Sequence, residues 1–308
     1  MAPKGFLDPV ELAESLVGVG EEKARLPIGK MLLLAALAGV YIGFAAHLAT
    51  VVATGNYMAY GLKMLVIGAA FSVGLMLVII PGSELFTGNN LMTVALCRGR
   101  IGFGGLLRNW IPVYGGNLIG SILLAGIIVV GTGLLDGSVG GTAINIANGK
   151  VSAQVQGVDH NVSYFFRGIC CNWLVCLAVM MAISARYIAG KILAIFFPIM
   201  AFVASGFEHS VANMYFIPAG IWACRFDKAV VASQTGQDAI ASAGAADASL
   251  TQQADIAREA LAGLNWSSMW TDNLVAVTLG NIVGGAVFVG MVYFFAYVYK
   301  GRGKADAR

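Results

Sequence analysis

Two glutamates stand in the middle of apolar stretches, where a charge is costly. Glu84 lies in Pro81-Gly82-Ser83-Glu84-Leu85-Phe86-Thr87-Gly88-Asn89, and Glu208 in Gly206-Phe207-Glu208-His209-Ser210-Val211-Ala212-Asn213. Both segments fit G-x-E-x-x-x-x-N, at an offset of 206 − 82 = 124. They interrupt long helical runs, so the backbone there has N–H groups without helical partners. Glu84 and Glu208 are suited to accept those donors and brace the breaks, with Asn89 and Asn213 completing the support. A carboxylate would repel an anion, which argues against direct contact with one.

Beyond each break a short helix is expected to start, near Thr87 or Gly88 and near Ser210 or Val211. Helix N-termini carry partial positive charge and unpaired donors. Two of them aimed at one point would attract an anion without any fixed net charge. An arginine there would hold the anion instead of passing it. His209 occupies the second break, and Leu85 is its repeat partner. Histidine titrates closest to neutrality of all side chains. It can hydrogen-bond an anion, or lend it a proton so that it crosses as a neutral acid. A charge moving through the membrane potential involves about 2.3 kcal/mol per 100 mV, and an apolar neck costs a bare anion far more. Protonation removes both terms. Phe71 and Leu75 share a helix face at i, i+4, Phe202 precedes the second break, and Leu85 and Phe86 lie in the first. These five could form apolar necks that block hydrated ions, or simply pack helices together. His47 reads as structural, and His160 as part of an outer loop.

These groups require a particular scaffold. Hydrophobic residues make up 58% of the 308 and charged residues 11%, against roughly 25% charged in soluble domains. Such a chain suits lipid as solvent. A spanning helix needs roughly 20 mostly apolar residues. Uninterrupted runs are Met31–Ala53, Trp110–Gly133, Ser163–Ala185 and Asn273–Tyr299. Gly61–Leu96 is cut at Pro81–Glu84, and Gly190–Cys224 at Ser205–His209. The expectation is an all-α integral membrane protein of six spans, with the second and fifth broken. Many of the 40 glycines would let helix backbones approach closely. The five cysteines show no metal or redox spacing, and no cofactor or metal is expected.

A second match joins the third and sixth runs. Residues Asn109 to Asn117 align with Asn273 to Asn281, offset 164. The two offsets differ by 40, as a longer last outer loop would require. Three spans per repeat, an odd number, place the second repeat upside down. Inverted repeats with matching broken helices mark transporters and channels with a site near the midplane. Repeat one is assigned about residues 28–135 and repeat two about 160–299, within a membrane domain of 28–299. The outer loop 225–271 is rich in Ala, Ser, Gly and Gln, and its inner part reads as mobile. Basic residues gather before span one, between spans two and three, between four and five, and after six. Both termini should therefore face the cytoplasm, including the tail 300–308. Within 1–27, Asp8-Pro9-x-Glu11 is a helix start with a capping box. Val10, Ala13, Leu16 and Val17 share one face. That helix either lies along the membrane surface or is a plain soluble lead-in.

The two break segments resemble the signature segments of the formate–nitrite transporter family. Asn172-Trp173-Leu174-Val175-Cys176-Leu177-Ala178-Val179 is similar to its fourth helix, and Thr271-Asp272-Asn273-Leu274 with Gly280-Asn281 to its sixth. The resemblance implies an aquaporin-like protomer in a homopentamer of the cell inner (plasma) membrane, each protomer with its own pore for small weak-acid anions: formate, nitrite, hydrosulfide or lactate. It implies that His209 is the central histidine, Thr87 its hydrogen-bonding threonine and Asn172 the nearby asparagine. It also implies constrictions at Phe71, Leu75, Leu85, Phe86 and Phe202. The family's vestibule lysine corresponds to Lys150, which lies 22 residues before Asn172. Either Lys150 serves across a small insertion, or Gln156 or Asn161 takes its place. Arg167 reads as a helix anchor. Partners are the anion, lipid and four further copies, with no nucleic acid. A neutral-solute channel of the half-helix type would need two Asn-Pro-Ala motifs, and none is present. Paired helix N-termini disfavour ammonium. No nucleophile–base pair or ligand set suggests an enzyme.

Overall fold

The structure, a computed structural model, describes residues 5–55, 58–152 and 157–299. The expected tail 300–308 and Gln156 lie outside the described residues. The described residues are helical apart from turns, extended links and isolated bridge residues, among them the pair Phe6 and Ala185. Helix α1 (Pro9–Arg25) starts with the expected capping box: Asp8 accepts from Glu11 N–H, and the Glu11 carboxylate accepts from Asp8 N–H. Its apolar face is turned onto the protein, not onto a membrane surface. Leu12, Ala13, Leu16 and Val17 join a buried cluster with Leu91, Val94 and Ala95. Val10 is 52% exposed, and Leu12 fills the place expected for it.

Among the described residues, five helices are long and apolar enough to cross a membrane: α2 (Ile28–Ala53), α3 (Tyr60–Ile79), α5 (Phe103–Gly131), α7 (His160–Ser184) and α13 (Trp266–Val298). Helix α3 is followed by the helical segment α4 (86–97), which includes a 3-10 turn at Asn90–Met92. Helix α8 (Ile188–Ala204) is apolar but shorter, and is followed by α9 (Ser210–Ala223). Parts of α13 are wound as π-helix, at Trp270–Leu274, Val283–Met291 and Phe294–Val298.

Glycine sets the closest packing. Helix α2 crosses α5 where a Cβ on Gly120 would overlap the Ala36 carbonyl oxygen, and one on Gly39 the Asn117 carbonyl oxygen. Helix α7 meets α13 in the same way, at Gly280 against Phe165 O and Gly284 against Ile169 O. Such backbone-to-backbone approach is the use of small residues expected in lipid, where dispersion and hydrogen bonds hold helices together.

Two segments differ from the sequence reading. Residues Ser138–Ser152 form an unanticipated helix, α6. The outer loop, whose inner part reads as mobile from sequence, folds into α10 (Asp227–Ala232), α11 (Gln234–Ser242) and α12 (Leu250–Ala260). Ser233 caps α11, and Ser249 with Gln252 forms a capping box on α12. Ala229, Val230, Ala254, Ala257 and Leu261 bury a small core between them. Gln234 N–H donates to Asn145 Oδ1 (2.8 Å), which docks this cap on α6. Arg258 donates to Cys224 O and Arg225 O and pairs with Asp227, clasping the end of the cap to its beginning.

Candidate functional site

Helices α3 and α8 stop for the same local reason. Gly82 (φ +89°) and Gly206 (φ +74°) adopt left-handed backbone that other residues avoid. Ser83 N–H then reaches back to Val78 O (2.9 Å), and Phe207 N–H to Phe202 O (3.1 Å). A six-residue return of this kind ends a helix in a Schellman motif. Leu85 and His209 follow in extended conformation before α4 and α9 begin.

Around both turns the bonding is the same, residue for residue. Glu84 accepts from Lys23 Nζ (2.6 Å) and Asn89 Nδ2 (2.7 Å). Glu208 accepts from Lys150 Nζ (3.0 and 2.8 Å) and Asn213 Nδ2 (2.6 Å). Asn89 Nδ2 also donates to Asn109 Oδ1, and Asn213 Nδ2 to Asn273 Oδ1. Asn109 and Asn273 donate in turn to the carbonyls of Lys23 and Lys150. On the far side, Asn117 Oδ1 accepts from Phe86 N–H and its Nδ2 donates to Glu84 O. Asn281 does the same for Ser210 N–H and Glu208 O. Both carboxylates are thus nearly buried (5% and 6% exposed), and each is ion-paired as well as hydrogen-bonded, the only condition under which a buried charge is tolerated.

Lys23 and the pair Asn117 and Asn281 were not singled out as site residues from sequence. Lys23 precedes Glu84 by 61 residues and Lys150 precedes Glu208 by 58. A search for a lysine near that distance before each motif would have paired them. Helix α6 carries Lys150 in its last turn and so brings it to the second break, although it lies 22 residues before Asn172 in the chain. Asn161 is exposed, away from this cluster. Arg167 packs its guanidinium over Tyr164, and its carbonyl accepts Glu208 N–H.

Between the two breaks, His209 Nε2 lies 2.8 Å from Thr87 Oγ1. Ala212 N–H points at His209 Nδ1 (3.1 Å), so the imidazole caps α9. Nδ1 is therefore the acceptor, and the ring proton sits on Nε2, which donates to Thr87. That leaves the threonine hydroxyl its own proton to offer elsewhere. Asn172 Nδ2 faces Thr87 O (3.2 Å), Asn90 Oδ1 (3.0 Å) and Asn281 O (2.7 Å). It holds the start of α4 from behind. Gly285, in the π-helical part of α13, leaves room for it, since a Cβ there would overlap Asn172 Nδ2.

Two cavities approach this point from opposite sides. One, about 900 Å³, is lined by Phe71, Phe202, His209, Lys150 and Glu208. The other, about 870 Å³, is lined by Leu75, Leu85, Lys23 and Glu84. Phe71 and Phe202 meet edge to face, with centroids 5.8 Å apart. Phe86, expected in a neck, lines neither cavity. Its ring packs edge-on against Trp110 (5.8 Å) and Tyr114 (5.0 Å), because the first residue of α4 points back toward α5. His47 lies beside Tyr215, and His160 begins α7, next to Tyr164.

The sequence and the fold both have known counterparts. The formate/nitrite transporter family profile matches residues 10–295. A probable formate transporter of Methanothermobacter thermautotrophicus is 40% identical, over 95% of this chain and 98% of its own. The formate channel FocA of Escherichia coli (strain K12) is 36% identical, over 96% of each. A solved pentameric formate channel with formate bound superposes with a TM-score of 0.69 at 40% identity, covering 88% of this chain and 98% of that one. With a match along nearly its whole length, this all-helical, multi-pass membrane protein belongs to the formate/nitrite transporter family, whose members are transporters and channels and not enzymes.

Proposed function

We propose that the chain is a pore for small monovalent anions of weak acids, formate first and nitrite or hydrosulfide next, crossing beside His209 and Thr87. The observation that carries this reading is the 2.8 Å contact between His209 and Thr87 at the start of two helices, with a cavity on either side. The donors there suit an anion: the Thr87 hydroxyl, the imidazole, and helix N-termini with partial positive charge. Among the described residues, no arginine lines either cavity to trap it. Phe71 with Phe202, and Leu75 with Leu85, form two apolar necks that strip hydrated ions. Exchange of a proton at His209 lets the substrate pass the necks as a neutral acid.

The scaffold of this pore is a pair of inverted repeats, with α3–α4 and α8–α9 as the broken second and fifth spans. Two contacts between equivalent positions support the symmetry. Ser72 Oγ donates to Phe196 O, and 196 − 72 = 124. Tyr114 Oη and Thr278 Oγ1 are 3.0 Å apart, and 278 − 114 = 164. These are the two offsets of the repeat, so both contacts lie where a two-fold axis would pass. The assembly is a homopentamer in the cell inner membrane with both termini cytoplasmic, a reading supported by the pentameric formate channel it resembles.

Flux into proteoliposomes tests the proposal. Formate, nitrite and hydrosulfide should equilibrate rapidly, and glycerol and methylammonium should not. Passage of glycerol at the rate of formate would remove the anion reading. A narrower test concerns the outer neck. Phe202→Ala should raise the ratio of lactate to formate flux about tenfold, the usual scale for steric discrimination of one or two carbons. An unchanged ratio would remove Phe202 from the neck.

A further inference from the structure

The two cavities are not electrically equal. With both termini cytoplasmic, as proposed above, the cavity beside α1 is the inner one, and it is lined by Lys23, Lys30, Glu22 and Glu84, two cations and two anions. The outer one is lined by Lys63, Lys150 and Glu208, a surplus of one positive charge. Lys150 does not supply that surplus. Its ammonium lies within 3.0 Å of both Glu208 oxygens and is only 15% exposed. Lys63 has no carboxylate within ion-pair distance among the described residues. Among the described residues it donates to a carbonyl, Gly55 O at 2.9 Å, which holds it at the rim. Residues 56, 57 and 153–156, outside the described residues, are uncharged in type. The cap adds Ala232 and the amides of Gln234 and Gln237 to this wall, all uncharged.

The helix dipole does not favour a lysine at that place. Lys63 lies in the first turn of α3, where the helix end is itself positive and a cation is disfavoured. Resting on the pore reading above, we infer that Lys63, not Lys150, is the cation that draws anions into the outer mouth. Lys150 serves the break and is electrically spent on Glu208. Lys63 acts at a distance, by raising the local anion concentration, and does not touch the ion at the central site. A unit charge acting over about 7 Å of water changes that concentration about threefold. The effect fades as the screening length shrinks from about 30 Å at 0.01 M salt to 3 Å at 1 M.

The experiment measures formate uptake by right-side-out vesicles carrying the full-length protein, over a range of formate concentrations, at low and at 1 M ionic strength. At low salt, Lys63→Gln should raise the half-saturating concentration about threefold and Lys63→Glu about sevenfold, with maximal flux unchanged. Lys63→Arg should behave as wild type. At 1 M salt the four proteins should coincide. A Lys63→Gln protein indistinguishable from wild type at low salt would overturn the inference. So would a deficit that persists at 1 M, which marks a packing defect. If wild type itself carried no formate, the pore reading would fail first, and the two failures are thereby distinct.

Discussion

Gly120→Val is expected to abolish the assembled protein, with detergent-extracted yield below about a tenth of wild type. A single Cβ at this position would overlap the Ala36 carbonyl oxygen, and its two nearest further neighbours are also Ala36 backbone atoms. Backbone cannot turn aside as a flexible side chain can. Overpacking a tight core usually costs about 1–3 kcal/mol, and here the strain falls on the axis of two crossing spans. Separating them also weakens the hydrogen bonds that cross the same seam, Asn117 Nδ2 to Ala35 O (2.8 Å) and Ser121 Oγ to Gly39 O (3.2 Å). Asn117 in turn holds Glu84 O and Phe86 N–H, so the damage reaches the first break. Gly280→Val should fail likewise, against Phe165 O. Gly115→Ala, where a Cβ meets nothing within 4 Å, is the control and should assemble normally. Wild-type yield and melting temperature for Gly120→Val would show that the two spans do not depend on this contact.

His209→Asn is expected to lower formate flux about 10- to 100-fold while the protein still assembles. Asparagine is among the best helix N-caps, so it can accept the Ala212 N–H that the imidazole now accepts. It is too short to reach Thr87 Oγ1, and the central donor pair is lost. A hydrogen bond to a charged group contributes about 1.5–3 kcal/mol, which sets the size of the effect. The variant should also lose any dependence of flux on pH that arises from the ring itself. Stopped-flow measurements in proteoliposomes between pH 5 and pH 8 check both points. Flux equal to wild type at every pH would mean that the imidazole only caps α9.

Much of the site was legible because the backbone imposes it. A left-handed turn requires glycine, and two buried carboxylates require donors. The spacing G-x-E-x-x-x-x-N is therefore written into both halves. The apolar runs match the helices to within a few residues, except at the starts of the third and sixth, where α5 begins at Phe103 and not near Trp110, and α13 at Trp266 and not near Asn273. What was hidden comes from elsewhere in the chain or from direction. Lys23 arrives on α1, outside the spans, and nothing local to Glu84 announces it. Leu85 and Phe86 are adjacent and equally apolar, yet one faces a cavity and the other α5, because the chain passes from extended to helical between them. The cap of α10–α12 escaped notice because alanine and small polar residues resemble a linker in composition. Its order comes from caps at Ser233 and Ser249 and from a core of methyl groups that hydropathy scarcely registers.

The clasp made by Arg258 has a practical consequence. Because one guanidinium gathers Cys224, Arg225 and Asp227, the stretch between them leaves and re-enters the transmembrane body at nearly one place. Foreign sequence spliced into the exposed turn at residues 243–247 would lengthen an appendage whose ends are already tied. That turn is thus a natural graft point for a fluorophore or an affinity handle, one that would report on the channel without entering it.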